Sequence, residues 1–323
     1  MNVHAAALAK AHRFDEHTSA FADDVIKGLS QQPKQLPPKY FYDVAGSELF
    51  EQITRLPEYY PTRTELKILG ERGGDIRATL PDNAALIEFG AGSTTKVRLL
   101  LESCKFAAYV PVDISGDFLN AQARVLRADF PELDVYPVTA DFTAPFDLPD
   151  AVKAMPKVGF FPGSTLGNFE PHEACAFLRS AREILGQGAR MLIGIDLEKD
   201  ERQLYAAYND AAGVTARFNL NVLARINHEL GGNFNLSAFT HRAIYNRERH
   251  RIEMHLISRV SQTVRILGRS FAFRAGESIH TESSYKYSLE RFNALARGSG
   301  WTPRVCWTDP DKLFSVHELV ASE

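Results

Sequence analysis

Glu88, Gly90 and Gly92 lie in LIEFGAGSTTK, Leu86 to Lys96, where an apolar run breaks into a glycine turn and a helix follows. Leu86, Ile87 and Phe89 have the character of a buried parallel strand, and glycines at 90 and 92 let backbone approach a ligand where a Cβ would stand in the way. Strand, glycine turn and helix start together make a nucleotide-type site. A dinucleotide fingerprint wants a third glycine where Thr95 stands, and a Walker loop wants Gly-Lys-Ser/Thr where Gly92 is followed by Ser93, Thr94 and Thr95 before Lys96. An acid inside the strand, Glu88, points to a cofactor with a cationic end, since a sulfonium is met by carboxylate and carbonyl rather than by an anion nest. S-adenosylmethionine is the leading expectation; an ordinary tight turn is the competing reading for the segment alone.

Asp113 ends a second apolar run, AAYVPVDIS, a little over twenty residues past the glycines. A carboxylate there can accept from both hydroxyls of a ribose, which NAD and S-adenosylmethionine share. Asp141 and Phe142 follow a third short run, DVYPVTA, and an acid that accepts from an exocyclic amine beside an aromatic ring suits adenine. Taken singly, Asp113 reads nearly as well as a helix cap, and Asp-Phe-Thr equally well as a turn with Phe142 in the core.

The elements that must position these residues follow from periodicity. VGFFPGSTLGN, Val158 to Asn168, holds a fourth strand and a second glycine-rich mouth, and RMLIGID, Arg190 to Asp196, is a fifth strand. A helix is expected from Pro171 to Leu185, with proline at its start and Glu170 and Glu173 in or beside its first turn. Strand and helix alternate over residues 63–199, whereas the chain on either side obeys other rules: a helical start, prolines at 33, 37 and 38, an aromatic segment, and after Lys199 a helical stretch interrupted near Gly213. Ile252, Met254 and Leu256 alternate with Arg251, Glu253 and His255, the signature of a half-buried strand. A final helix from Leu289 to Ala296 and the strand TPRVCWT are expected to return to the main sheet as an antiparallel hairpin at its edge.

Composition narrows the class. The chain has 323 residues, 45% hydrophobic, with a net charge of -3, which is enough for one large or two moderate cores and lacks the basic stripe of a nucleic-acid binder. Cys104, Cys175 and Cys306 are odd in number and far apart, so neither a disulfide frame nor a metal site is expected, and a reducing cytoplasm fits. MNVHAAALAKAHRF has no apolar run of signal-peptide length, and no segment has the length of a membrane span.

LPPKYFYDVAGSELFEQITRLPEYYPTRTE, IEFGAGSTTKVRLLL, PVDIS, GSTLGNFEP, YNDAAGVTARFNLNVLARINHELGGNF, RIEM and TESSYKY together resemble the histidine-specific Nα-methyltransferases of ergothioneine biosynthesis, from about Pro37 to Thr308. The resemblance implies a Rossmann-like class I methyltransferase fold, residues 63–199 with 289–323, and a second, smaller α+β substrate-binding domain, residues 1–62 with 200–288. It implies S-adenosylmethionine as methyl donor, S-adenosylhomocysteine as product, no metal, and L-histidine as the substrate trimethylated on its α-amine to hercynine. The cofactor side would be Gly90, Lys96, Asp113, Asp141 and Phe142. The histidine side would be Tyr59, Gly163, Asn168, Tyr208, Met254, Glu282 and Ser284, with Tyr42 and Tyr59 as candidates for accepting the amine proton. Asn168 and Tyr208 can donate to the substrate carboxylate, Glu282 and Ser284 can meet the imidazole nitrogens, and Met254 can pack on the ring. The small residues Gly163-Ser164-Thr165 are expected to leave room for successive methyl groups. A cytoplasmic monomer without nucleic-acid or membrane partners is expected.

The chain departs from the family pattern at Ser283, where an aliphatic residue is expected, at Tyr287, where Phe is, and at Pro162, where Leu is. Ser283 bears on how strictly histidine is selected. Two further readings stand beside the first: an N-methyltransferase of the same fold acting on another amino acid or small amine, and a catalytically silent module that keeps the cofactor crevice.

Overall fold

The computed structural model describes residues 19–322. Residues 1–14, whose sequence has no apolar run of signal-peptide length, lie outside them, as does part of the expected helical start; a helix runs through residues 19–30. The described chain divides into two compact units, one of residues 19–59 with 200–284 and one of residues 60–199 with 285–322.

The second of these units is a Rossmann-like α/β layer structure. Its strands are β1 (Ala85–Phe89), β2 (Ala108–Asp113), β3 (Asp134–Val135), β4 (Val138–Thr139), β5 (Lys157–Phe161), β6 (Arg190–Asp196), β7 (Trp301–Thr308) and β8 (Phe314–Ala321). They form one sheet in the order β7-β8-β6-β5-β1-β2-β3, with β4 also paired to β2. The strands from β6 to β3 and β4 are parallel, and β8 and β7 add to β6 as the antiparallel hairpin anticipated from the sequence. Helices α1 (Tyr60–Thr79), α2 (Thr95–Ser103), α3 (Gly116–Asp129), α4 (Asp150–Lys153), α5 (Pro171–Leu185) and α6 (Leu289–Gly298) accompany the sheet.

Both faces of this sheet are buried, which is why its strands are apolar almost throughout. Ile87, Phe89, Val110, Phe161 and Ile193 pack with Phe177 and Leu178 of α5 and Phe292 of α6. The alternate residues Leu86, Tyr109, Phe160 and Leu192 pack with Ile68 and Leu69 of α1 and Leu100 of α2. α5 begins at Pro171 behind a reciprocal cap in which Glu173 accepts from the Glu170 backbone N–H at 2.9 Å. DVYPVTA does not form one strand. It breaks into β3 and β4 on either side of Tyr136 and Pro137, because proline has no N–H for the ladder.

β1 lies between β2 and β5, so the chain leaves β1 toward one side and returns on the other. This topological switch point places the turns after β1 and β5 side by side at the carboxyl ends of the strands, where open α/β sheets take ligands.

Two buried acids belong to the frame of this unit. Glu88 on β1 is 2% exposed and accepts from the Tyr109 hydroxyl at 2.5 Å; burial pushes its carboxyl up to about 8. Asp196, at the end of β6, receives the Tyr60 hydroxyl at 2.8 and 2.9 Å, Lys286 Nζ at 2.6 Å, and Lys199 Nζ, which also donates to the Tyr60 hydroxyl at 2.7 Å. Burial works to raise the Asp196 carboxyl, but the Lys199 and Lys286 ammoniums overcome it and hold the pKa below the usual value. Burial in turn pushes Lys199 down to about 8.

The first unit combines the helices Val44–Ile53, Glu201–Tyr208 and Val214–Leu230 with a four-stranded sheet in the order Lys34–Gln35, Ser278–Tyr285, Arg251–Ser258, Phe239–Asn246. Met254 and Leu256 pair across the sheet with Ala243 and His241, and His241 Nδ1 meets Asn219 of the longest helix of this unit at 2.9 Å. The opposite face is not the wet face that alternation predicts. Arg251 and Glu253 are buried as an ion pair 2.8 Å apart, Glu253 also meets His255 at 3.3 Å, and the His255 and His280 rings lie 5.1 Å apart. Burial, with His255 adding to it, pushes His280 down to about 4. Pairing of opposite charges lets this polar face be covered.

Two stability outcomes follow. Asp196→Asn removes the buried carboxylate that the Lys199 and Lys286 ammoniums share and is expected to lower unfolding free energy by about 3–5 kcal/mol, measured by denaturant titration. Glu88 stays protonated in the fold at pH values where the unfolded chain has lost the proton, so its contribution is full below the ordinary carboxyl value of 4.5 and disappears as pH rises through about 8. Thermal stability should therefore fall across that window in the parent chain, and Glu88→Gln, which stays neutral, should flatten the slope.

Candidate active site

The turn after β1 is built on the end of β2: the backbone N–H groups of Gly90 and Ala91 both donate to Val112 O, at 2.9 and 3.1 Å. Gly90 has φ +75°, and a Cβ there would meet Phe142 Cε1 at 3.2 Å, so Phe142 lies directly over the glycine. Phe142 also packs edge-on against Phe161 and Phe177, at 5.7 and 5.8 Å between centroids, and thus serves the core as well as the turn.

Asp113 and Asp141 sit at the ends of β2 and just past β4. Asp113 does not cap α3; Ser115 occupies that position, and Asp113 Oδ1 accepts from the Ser115 N–H at 2.9 Å. Asp141 forms a local turn in which Oδ1 accepts from the Thr143 N–H at 2.9 Å and the Thr143 hydroxyl at 2.5 Å. Burial raises the Asp113 pKa, and the Asp141 charge pushes the same way, as two carboxylates facing one crevice require. Lys96, the second residue of α2, places Nζ 2.7 Å from Glu65 Oε2 on α1.

Beyond β5 the chain takes two consecutive left-handed residues, Gly163 at φ +80° and Ser164 at φ 56°, before the 3-10 turn Thr165–Asn168. Such backbone persists only when its surroundings hold it. Here the Gly163 N–H donates to both Glu65 oxygens, at 3.0 and 2.9 Å, and Ser164 Oγ accepts from the Asp196 N–H at 2.9 Å. A Cβ on Gly167 would lie 2.8 Å from Tyr285 O. Ser164 is buried with its hydroxyl committed to the Asp196 N–H, so its side chain serves to fix the turn. Asn168 ends the turn, half-buried.

In the first unit, the Tyr208 hydroxyl meets Ser284 Oγ at 2.8 Å, and the pair is buried. The Tyr208 ring lies edge-on to Tyr59 at 6.2 Å, Tyr59 to Phe50 at 6.3 Å, and Phe50 to Tyr42 at 5.6 Å. Tyr59, Tyr208, Ser284 and Tyr42 are therefore connected through one series of contacts. Met254 is buried on the same sheet, where the Thr281 hydroxyl donates to its carbonyl at 3.0 Å, and Glu282 beside Thr281 is buried as well.

The segment around Tyr208 shows how its residues share the work. Asn209 clamps the helix end to a strand, its Oδ1 accepting from the Ala243 N–H at 3.0 Å and its amide donating to Ala243 O at 3.2 Å. Asp210 accepts from the Val214 and Thr215 N–H groups, both at 2.8 Å, and so starts the next helix; Gly213 takes φ +66° between them. His241 Nε2 meets Tyr208 O at 2.8 Å. Sequence reasoning missed Asn209, Asp210, Glu65 and Asp196 as supports. Asp210 carried a signal, since it lies four residues ahead of a helix that begins after glycine, but the partners of Glu65 and Asp196 are far away in sequence.

Residues 21–321 match the family described as histidine-specific methyltransferase, SAM-dependent. The chain is 41% identical over 319 residues to a histidine N-alpha-methyltransferase of Mycolicibacterium smegmatis, covering 96% of this chain and 97% of that one. It is 39% identical over 303 residues to the histidine N-alpha-methyltransferase of Mycobacterium tuberculosis, covering 92% and 94%. To ergothioneine biosynthesis protein 1 of Neurospora crassa it is 31% identical over 305 residues, covering 90% of this chain and 33% of that larger protein. With the crevice at the switch point of its sheet and a match that spans nearly its whole length, this chain belongs to the S-adenosylmethionine-dependent, histidine-specific methyltransferases.

Proposed function

We propose that the protein transfers methyl groups from S-adenosylmethionine to the α-amine of L-histidine, three times over, giving hercynine and S-adenosylhomocysteine as the first step of ergothioneine biosynthesis. The observation that carries the substrate assignment is the buried Tyr208–Ser284 hydroxyl pair, in a unit that also buries Glu282 and Met254. A buried carboxylate and hydroxyls suit a substrate with two ring nitrogens and a charged amino-acid head.

The cofactor would be held by Gly90, Lys96, Asp113, Asp141 and Phe142. These groups suit it: Asp113 can accept from the ribose diol, Asp141 can accept from the exocyclic amine, and the Phe142 ring beside Gly90 can cover a face of the adenine. When bound, it supplies an electrophilic methyl on a sulfonium. The remaining work is positioning and proton handling. Asn168 and the Tyr208 hydroxyl are assigned to the substrate carboxylate, Glu282 and Ser284 to the imidazole nitrogens, and Met254 and Gly163 to the walls. The α-amine must lose its proton before it can attack, and a neighbouring cationic centre lowers its pKa. The Tyr59 hydroxyl, or that of Tyr42, is assigned the departing proton, directly or through water. In this reading, residues 63–199 with 289–323 bind the cofactor and 1–62 with 200–288 bind the substrate, within a cytoplasmic monomer.

Incubation with S-adenosylmethionine and each common amino acid, followed by mass spectrometry, should give mono-, di- and trimethylated histidine; methylation of another amino acid with none of histidine would reassign the substrate, and no methylation at all would favour a silent module. Tyr208→Phe should raise the histidine KM by about tenfold or more, the loss of one hydrogen bond to a charged group. Gly90→Ala forces a Cβ onto Phe142 at an unfavourable φ, and calorimetry should show weaker S-adenosylhomocysteine binding with the fold retained.

A further inference from the structure

Glu65 lies on helix α1, ahead of the first strand of the sheet, and is only 1% exposed, with no part in the ligand contacts assigned above. Its carboxylate nevertheless joins the two turns of the switch point. One oxygen lies 2.7 Å from the Lys96 ammonium, which follows the turn after β1, and both oxygens accept from the Gly163 N–H, which begins the turn after β5. Lys96 and Gly163 are themselves in contact range, since a Cβ on Gly163 would lie 3.1 Å from Lys96 Nζ. On the other side the carboxylate rests on β6 at Gly194, where a Cβ would fall 2.1 Å from Glu65 Oε1. No residue other than glycine leaves that space at position 194.

We infer that Glu65 is a positioning residue that sets the cofactor-side lysine and the histidine-side backbone of Gly163 in one fixed relation, and so couples the binding of the two ligands. The inference rests on the proposed function for what those ligands are. A buried carboxylate is suited to the task because its hydrogen bonds to an ammonium and a backbone N–H are charge-assisted and directional. A shift of Lys96 when the cofactor arrives moves the oxygen that holds Gly163, and the reverse, so the coupling is reciprocal.

The test is the affinity for histidine measured by calorimetry with and without S-adenosylhomocysteine. In the parent protein the cofactor product should strengthen histidine binding by about fivefold or more. Glu65→Gln keeps the shape and one acceptor for the Gly163 N–H but loses the ion pair, and the enhancement should fall to near one while thermal unfolding shows a folded protein. Gly194→Ala displaces the carboxylate without removing its charge and should lower the enhancement in the same direction; if that variant does not fold, Glu65→Gln decides alone. Glu65→Asp, which keeps the charge on a shorter arm, should recover part of the coupling. An enhancement of one in the parent, or one that survives intact in Glu65→Gln, overturns the role of Glu65. Failure of the parent to methylate histidine overturns the functional reading instead, and is seen separately by mass spectrometry.

Discussion

One carboxylate carries much of the larger unit. Asp196 is bound by Tyr60, Lys199 and Lys286, and these three mark the places where the chain enters that unit, leaves it, and has just returned. A unit made of two separated stretches of chain must hold its crossings together, and here a single buried charge does so. An isolated carboxylate in that setting would be costly, and so would either ammonium; together, with the Tyr60 hydroxyl satisfying further lone pairs, they balance. The same residue offers its backbone N–H to Ser164 and so steadies the left-handed turn from which Asn168 projects.

The site depends on a second group of residues that hold rather than touch. Glu65 binds Lys96 and Gly163, and Asn209 and Asp210 fix the chain on the C-terminal side of Tyr208. The YNDAAG segment is specific for this reason. Tyr208 makes the hydroxyl contact, Asn209 pins the helix end to a strand, Asp210 accepts from the first two N–H groups of the following helix, and Gly213 takes the left-handed N-cap position of that helix. Four residues of this one short segment have four different physical duties.

Local patterns were legible wherever burial acts on one element at a time. The strand Arg190–Asp196 and the helix Pro171–Leu185 follow from apolar runs and an N-terminal cap that needs only nearby residues. Prediction failed where a distant partner or a backbone detail intervened. Arg251 and Glu253 look like a wet face by alternation, yet they neutralise each other and are covered. DVYPVTA looks like one strand, yet the missing N–H of Pro137 splits it.

The sequence by itself determined the alternating α/β pattern, a glycine turn of nucleotide type, and through its longer motifs the resemblance to histidine-specific methyltransferases. Those properties reside in residue type and short spacing, which physical chemistry reads without knowing the rest of the chain. Tertiary structure alone decided that Glu65 holds Lys96 and Gly163, that Asp196 gathers Tyr60, Lys199 and Lys286, and that Tyr208 meets Ser284. Side chains so far apart along the chain become neighbours only when the sheet order is set. The energy of a buried charge or hydroxyl depends on which neighbour is there, and no local pattern names it.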